Sequence, residues 1–376
     1  MEKVSVEPPL KKIKTENGSS EANNHENDVT LSRIRIGSRK SQLALFQTNF
    51  VADLLRKHYS GIAYDIVSMS TIGDKILDKA LSKIGEKSLF TKELEIALEK
   101  EEVHIVVHSL KDLPTTLPDG MVIAAICERE NPFDVVVFSS EHDYKNLKEL
   151  PDGSVIGTSS LRRIAQLKRL FPNLQFESIR GNLNTRFRKL DEDKIYSAII
   201  LAAAGVIRLD LEHRINQVLT PEDCMYAVGQ GALAIECRGS DTSTIKLLSK
   251  ISHEETTLCC VAERAFMKTL EGGCSVPIGV YSTLENKKLT LRGGVYSLDG
   301  SKSIIEEITD DIYDSKNSIT PQKHYVGIVA PHLPHHVLNA AESLGQKLAE
   351  SLLQKGASDI LKEARTKNVL LPPPTK

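Results

Sequence analysis

Residues that could carry chemistry lie at the ends of predicted strands and helices. Lys111 and Asp112 follow the β-branched run 103–108, and Pro114 prevents that element from continuing. In open α/β sheets, ligands bind beyond the carboxyl ends of the strands. Asp112 is therefore a candidate general acid–base, or a carboxylate that stabilises a cation. The alternative is a turn residue beside a solvated lysine.

Arginines beside turns form a second group of candidates. They lie at strand ends, at helix starts or within the first turns of helices: Arg39, Arg162, Arg163, Arg180, Arg186, Arg188 and Arg208. A guanidinium binds a carboxylate or phosphate through two parallel hydrogen bonds, and a helix N-terminus adds backbone donors. Any one of them could be a surface charge, but their recurrence at comparable positions predicts a polyanionic ligand.

Cys274 is the third candidate. Gly272 and Gly273 end the preceding predicted helix and leave its thiol in an open loop. The residues alone leave two interpretations open, an attachment site or an ordinary loop cysteine. Four of the remaining cysteines are predicted to be inert core thiols: Cys127, Cys237, Cys259 and Cys260. Cys224 is undecided.

The elements that must position these residues alternate from residue 33 onwards. A first set of strands is predicted near 33–36, 62–69 and 103–108, with helices near 40–58 and 91–100. A second set has strands near 135–138, 154–156 and 198–202, a strand ending at 179–181, and helices at 161–170 and 184–190. This alternation is typical of parallel sheets with crossover helices. The last third has a helix at 254–270, strands at 276–281, 288–295 and 303–308, and helices at 337–353 and 358–364, which predicts a small α+β domain.

Length and composition exclude several classes of protein. A chain of 376 residues predicts two or three domains. Lys plus Arg total 48 and Asp plus Glu total 50, a net charge of -2, which argues against a general nucleic-acid or membrane-surface binder. No apolar run approaches the roughly 18 residues of a transmembrane helix. The polar segment 1–27 lacks a secretory signal pattern and is predicted to be a disordered tail, so reduced cysteines and a cytoplasmic location are expected.

Two motif-like patterns are not assigned a function. Residues 229–234 match G-x-G-x-x-A, but they lead into a strand-like segment, whereas dinucleotide binding needs a helix there. His332, His335 and His336 surround two prolines without Cys or acidic partners and predict a polar loop. No metal site is predicted.

Six sequence motifs, taken together, resemble the porphobilinogen deaminase (hydroxymethylbilane synthase) family. They occur in the family's order at 37–44 (GSRKSQLA), 107–115 (VHSLKDLPT), 157–163 (GTSSLRR), 179–186 (IRGNLNTR), 229–232 (GQGA) and 271–277 (EGGCSVP). The resemblance runs from about residue 33 to residue 365. It implies an α/β fold of three domains. The first two resemble periplasmic binding proteins joined by a chain crossover, and the third is a small α+β domain that carries the cofactor cysteine.

The resemblance also implies domain boundaries. The expected divisions are a tail at 1–30, a discontinuous first domain at 31–129 plus 226–251, a second at 130–225, a third at 252–366 and a tail at 367–376. A return of the chain to the first domain cannot be read from periodicity.

The activity implied by the resemblance is the head-to-tail condensation of four porphobilinogen molecules, with loss of ammonia, into linear hydroxymethylbilane. The family builds this tetrapyrrole on a dipyrromethane primer held by a thioether, and the matching cysteine is Cys274. By motif match, the cofactor-binding residues are Ser109, Lys111, Thr158, Ser160, Arg162, Arg163 and Arg186. The substrate-binding residues are Arg39, Ser41, Arg180, Arg208 and Gln230. The resemblance implies a monomer whose small-molecule substrate is porphobilinogen.

This chemistry accounts for the residue types. Each pyrrole carries an acetate and a propionate, so a growing chain accumulates carboxylates that need fixed cationic partners. Loss of ammonia leaves a cationic azafulvene, which the Asp112 carboxylate would stabilise while moving protons.

Two alternatives remain from other classes. A non-catalytic anion-binding module could use the same scaffold, but it would need neither Asp112 nor a loop cysteine. A cysteine hydrolase would need a histidine base, which no motif supplies.

Overall fold

Thirteen strands, most of which bury apolar residues, form three sheets in the computed structural model, which describes residues 31–71, 91–141, 143–271, 276–314 and 324–370. The strands are β1 (Arg33–Arg39), β2 (Ala63–Met69), β3 (Ile105–Ser109), β4 (Met121–Ile126), β5 (Asp134–Phe138), β6 (Val155–Gly157), β7 (Gln175–Glu177), β8 (Ala198–Ala202), β9 (Gln217–Val218), β10 (Leu233–Arg238), β11 (Ile278–Glu285), β12 (Lys288–Tyr296) and β13 (Ser303–Asp311). Sheet 1 has the order β2-β1-β3-β10-β4, sheet 2 the order β7-β6-β8-β5-β9, and sheet 3 the order β11-β12-β13.

The helices follow the periodic segments of the sequence. They are α1 (Gln42–His58), α2 (Lys92–Glu99), α3 (Leu161–Leu170), α4 (Leu183–Glu192), α5 (Ala203–Ile207), α6 (Thr242–Leu248), α7 (Glu254–Thr269), α8 (His335–Gln354) and α9 (Ala357–Leu370). Polar side chains satisfy free backbone N–H groups at their starts, as Ser41 does on α1, Ser160 on α3 and Asn182 on α4. Among the described residues, no helix is long and apolar enough to cross a membrane.

The chain crosses between the sheets and returns. Sheet 1 takes its strands β1 to β4 from residues 33–126, and β10 then inserts between β3 and β4 after sheet 2 is complete. The fold class is therefore the predicted α/β fold with a crossover and a smaller α+β part. The exact domain boundaries stay a prediction; α9 continues to Leu370, into the predicted C-terminal tail.

Several details differ from the sequence-based expectations; among them, His335 and His336, expected in a polar loop, are the first residues of α8. Both large sheets are mixed, because β10 runs antiparallel to β3 and β4, and β5 runs antiparallel to β8. The strand expected to end at Gly181 ends at Glu177, and β4 was not predicted. These pairings join segments far apart in the sequence, so local periodicity carries no information about their direction.

The largest core cluster lies where sheet 1 and sheet 3 meet the helices α7 and α8. Leu110 and Leu113, which flank Lys111 and Asp112, are buried in it together with Phe266 of α7 and Leu344 of α8. The turn that carries Asp112 is thus anchored in the same core as α7.

Candidate active site

Asp112 lies on a short, rigidly held turn after β3. Residues Leu110–Asp112 form a 3₁₀ turn, closed by a 3.1 Å hydrogen bond from the Leu113 N–H to the Leu110 carbonyl. The Leu110 N–H donates to the carbonyl of Ala232 at 3.0 Å, which ties the turn to the start of β10. Leu110 and Leu113 are buried, whereas Asp112 is exposed. Two buried leucines therefore fix the backbone while the carboxylate faces outward.

Lys111, in the same turn, forms a hydrogen bond with Gln230. Its Nζ donates to Oε1 of Gln230 at 3.4 Å, and the Gln230 amide nitrogen donates to Oδ1 of Asp134 at 2.9 Å. Burial lowers the pKa of Lys111 to about 8. The charges of Arg163 and Arg162 contribute to this lowered pKa, and those of Asp112 and Asp134 partly oppose it. An anion bound beside Lys111 would therefore stabilise its charged form.

Asp134, the first residue of β5, is a buried carboxylate that binds two of the predicted arginines. Its Oδ2 accepts from Nη1 of Arg162 at 2.6 Å, and its Oδ1 accepts from Nη2 of Arg163 at 2.7 Å. Although burial opposes ionisation, the two guanidinium groups hold the pKa of Asp134 well below its usual range. Asp134 thus stays charged and locks both arginines at the start of α3.

The two arginines differ in what remains available to a ligand. Arg162 also donates to the Met225 carbonyl at 2.7 Å and lies 3.5 Å from the sulfur of Cys224, so its guanidinium is engaged within the protein. Arg163 donates to the carbonyl of Ile200 at 2.7 Å, and its buried Nε has no hydrogen-bond partner among the described residues. An unpaired buried donor is costly unless a ligand satisfies it.

Arg186 extends the positive charge across sheet 2. Its pKa is lowered to about 10, mainly by burial and also by the charges of Arg163 and Arg180, while the charge of Asp112 opposes this lowering. Its Nε donates to the Gly181 carbonyl at 3.0 Å. The charge of Asp112 therefore acts both on Lys111, beside it, and on Arg186 of α4.

The other predicted residues have more structural contacts. Arg39 is half-buried at the end of β1, Ser41 caps α1, and Ser160 caps α3. The hydroxyl of Ser109 accepts from Gln47 at 3.0 Å, and the buried hydroxyl of Thr158 accepts from the Ser160 N–H at 3.3 Å.

Two further arginines make one contact each. Arg180 donates to Ser178, while Arg208 donates to the Gly231 carbonyl at 2.7 Å. Burial lowers the pKa of both arginines.

Cys274 lies outside the described residues, so its expected role stays a prediction. The other five cysteines are free and buried, and burial raises the pKa of each thiol. Cys224, undecided from the sequence, lies 3.6 Å from Asp134 and belongs to the buried polar cluster.

Sequence reasoning missed Asp134. Asp134 is the first residue of the apolar run Asp-Val-Val-Val-Phe, where an acidic residue indicates the end of a strand. It lies 28 positions from Arg162 in the sequence. A charge at the start of an otherwise buried strand was the available signal, because such a charge must find a partner.

An α/β fold that brings Lys111 and Arg186 within electrostatic range of the exposed Asp112 carboxylate has a candidate anion-binding site. Residues 34–246 match the family model described as porphobilinogen deaminase, dipyromethane cofactor binding domain, and residues 257–325 match its C-terminal domain. The chain belongs to the porphobilinogen deaminase family.

Curated relatives extend the match over most of the chain. The porphobilinogen deaminase of Nostoc sp. is 48% identical over 87% of this chain and 93% of its own length. That of Synechococcus elongatus is 48% identical over 88% of this chain and 95% of its own length. Among solved structures, the Bordetella pertussis BvgS VFT2 domain covers 59% of this chain and 87% of its own chain at 12% identity and a TM-score of 0.36, a likeness too low to support an inference.

The described residues fit the dipyrromethane cofactor that the matched domain binds. Lys111 and Arg186 are cations whose pKa is lowered by burial, and the Nε of Arg163 has no partner within the described part of the chain. Carboxylates of a dipyrromethane would neutralise the first two and accept from the third.

Proposed function

We propose that this chain condenses four porphobilinogen molecules head to tail, with release of ammonia, into hydroxymethylbilane. The observation that carries the proposal is the exposed Asp112 carboxylate among the cations Lys111, Arg163 and Arg186, within a chain of this family. The reaction belongs to tetrapyrrole biosynthesis, and the chain is a transferase. The alternative of a non-catalytic anion-binding module is not favoured, since a binder needs no carboxylate at the centre of its cations.

Asp112 is the proposed catalytic residue. When ammonia leaves porphobilinogen, positive charge develops on the substrate, and a fixed carboxylate within reach stabilises it. The same carboxylate can accept a proton and return it as the new bond forms. Lys111 cannot take this role, because a cation beside a developing cation raises the barrier. Its engagement by Gln230 keeps it beside the site without occupying the carboxylate's position.

The cofactor is proposed to be attached by a thioether to Cys274. When bound, the dipyrromethane supplies the pyrrole position to which the first substrate is joined. Of the predicted cofactor residues, three suit its carboxylates: Lys111 and Arg186 are half-buried cations whose pKa is lowered by burial, and the buried Nε of Arg163 has no partner among the described residues. Arg162, paired with Asp134, is proposed to form a fixed part of the cofactor site. Ser109, Thr158 and Ser160 are proposed to supply its other polar groups.

The substrate and the growing chain are proposed to meet Arg39, Ser41, Arg180, Arg208 and Gln230. Arg180 and Arg208 support this assignment because burial lowers the pKa of both, so carboxylates would stabilise their charged forms. We also propose that the enzyme is a cytoplasmic monomer that binds no nucleic acid. Its net charge of -2 supports the last point.

The direct test is turnover. Purified protein incubated with porphobilinogen should release ammonia and form a tetrapyrrole that oxidises and cyclises to a coloured porphyrin. Stable binding of porphobilinogen without ammonia release would favour the binding module instead.

A further inference from the structure

Arg264 of α7 is a fully buried arginine that binds main-chain oxygens. Within the described residues, its hydrogen bonds go to the carbonyl of Val326 at 3.1 and 3.0 Å, to that of Pro114 at 2.8 Å and to that of Leu113 at 3.3 Å. One planar guanidinium thus gathers carbonyls from two segments far apart in the sequence. Burying a cation without a carboxylate partner is expensive, so the position needs a reason beyond filling space.

The segments that Arg264 holds are unusual. Leu113 is the residue after Asp112, and its own N–H closes the 3₁₀ turn. Val326 has a φ of +46°, a left-handed conformation that is strained for a β-branched residue. Hydrogen bonds from Arg264 to the Val326 carbonyl keep that backbone in place. The guanidinium therefore fixes the path of the chain immediately after the proposed catalytic carboxylate.

The neighbouring residue of α7 holds the other side of the same turn. Glu263 accepts from the Gly229 N–H at 2.7 Å and forms a two-point ion pair with Arg129, which in turn donates to the Gln230 carbonyl at 2.8 Å. Gly229 has a φ of +71°, and a Cβ there would lie 2.7 Å from the Leu110 side chain. Leu110 is thus pressed against a turn that Glu263 holds, on the near side of Asp112.

We propose that Arg264 is a positioning residue for Asp112, acting through the Leu113 and Pro114 carbonyls. Two adjacent charged residues of α7 then clamp the Asp112 turn, Glu263 before it and Arg264 after it. This inference rests on the proposed function, because it assigns Arg264 to the same reaction. It extends the site beyond the residues that touch ligand.

A double-mutant cycle separates positioning from general stability. Arg264→Gln should lower kcat for porphobilinogen by at least about tenfold with KM within about twofold, since a small displacement of a reacting group is costly. In an Asp112→Asn background, the same change should lower kcat by less than about twofold, because the carboxylate that it positions is already gone. Equal losses in the two backgrounds would overturn the proposal.

Arg238 offers a matched control. It is also a poorly exposed arginine that donates to two main-chain carbonyls, those of Leu98 and Val103, which precede β3, whereas the Asp112 turn follows it; unlike Arg264, it also pairs with Asp241 at 3.4 Å. Arg238→Gln should lower the melting temperature and leave the kcat of the folded enzyme unchanged. A kcat loss in Arg238→Gln as large as in Arg264→Gln would mean that disturbing any such arginine is enough, which contradicts a positioning role.

If Arg264→Gln does not fold, Arg264→Lys keeps the charge but cannot reach both segments at once. It should give an intermediate kcat and faster amide hydrogen exchange in residues 110–115. Wild-type kcat and exchange in Arg264→Lys would overturn the proposal. Wild-type protein that consumes no porphobilinogen would refute the proposed function itself, whereas active wild-type protein with an additive cycle would refute only the positioning role.

Discussion

Arg163 donates to Asp134 over 2.7 Å, so this arginine is partly neutralised before any ligand is bound. The same carboxylate binds Arg162 and receives the amide of Gln230, which holds Lys111. A single buried acid therefore sets the geometry of four residues that the family resemblance assigns to cofactor and substrate.

Asp134→Asn tests this arrangement through stability. The substitution leaves two buried guanidinium groups without their counter-charge, and breaking a buried pair in this way costs about 3–5 kcal/mol. We expect the free energy of unfolding at pH 7 to fall by that order in urea denaturation. Asp65→Asn is a suitable control, because it removes a carboxylate from the exposed pair with Arg33 and should cost less than about 1 kcal/mol.

The pH dependence has a definite sign. The pKa of Asp134 is lower in the folded protein than in the unfolded chain, so its stabilisation is complete above the unfolded value of about 4 and is lost as the pH falls towards the folded value. The stability gap between wild type and Asp134→Asn should therefore be constant near neutrality and shrink below about pH 4. A gap that persisted undiminished at lower pH would contradict an ionised Asp134.

Lys111 should give a second pH dependence, in ligand loading. Burial lowers its pKa to about 8 in the ligand-free protein, so the charged form, which binds carboxylates, is lost as the pH rises through 8. Loading of apo-protein with primer should weaken as the pH rises through that range. Lys111→Met should load poorly at every pH and should not show this decrease. Identical pH profiles in wild type and Lys111→Met would show that another group is responsible.

Arginine variants should separate cofactor loading from a generally weakened fold. Arg186→Met removes a cation that has no ion pair among the described residues, and Arg163→Met removes the guanidinium whose buried Nε has no partner there; both variants should leave mainly apo-protein, measured by intact mass. Arg214→Met is the matched control, because its guanidinium already pairs with Asp191 of the same helix as Arg186, at 2.8 Å, and it should load fully. Primer present at wild-type levels in all three variants would exclude a cationic cofactor site here.

The covalent attachment can be checked by mass alone. Intact protein should exceed its sequence mass by one dipyrromethane, and digestion should place the adduct on the peptide that contains Cys274. Cys274→Ser should fold and remain unmodified. A fully active wild-type protein without an adduct would refute the thioether.

Much of this site was predictable because strand ends and helix starts are local features. The β-branched run 103–108 placed Asp112 beyond a strand, which in the structure ends at Ser109. Ser160 indicated the helix start beside Arg162. Asp134 and Arg264 were not predictable, since their importance comes from partners 28 and about 150 positions away. The insertion of β10 into sheet 1 could not be predicted for the same physical reason. Periodicity reports which face of a segment is buried, and tertiary pairing decides what lies against it.

Asp112→Asn is the most direct test of the central claim that an exposed carboxylate near Lys111, Arg163 and Arg186 drives the condensation. The amide keeps the size and the hydrogen-bond acceptor but removes the charge, and each 1.4 kcal/mol of lost transition-state stabilisation is about tenfold in rate. Ammonia release from porphobilinogen should fall at least about a hundredfold while circular dichroism stays that of the wild type, and Asp112→Glu should retain a small residual activity. Near-normal ammonia release by folded Asp112→Asn protein would contradict the account.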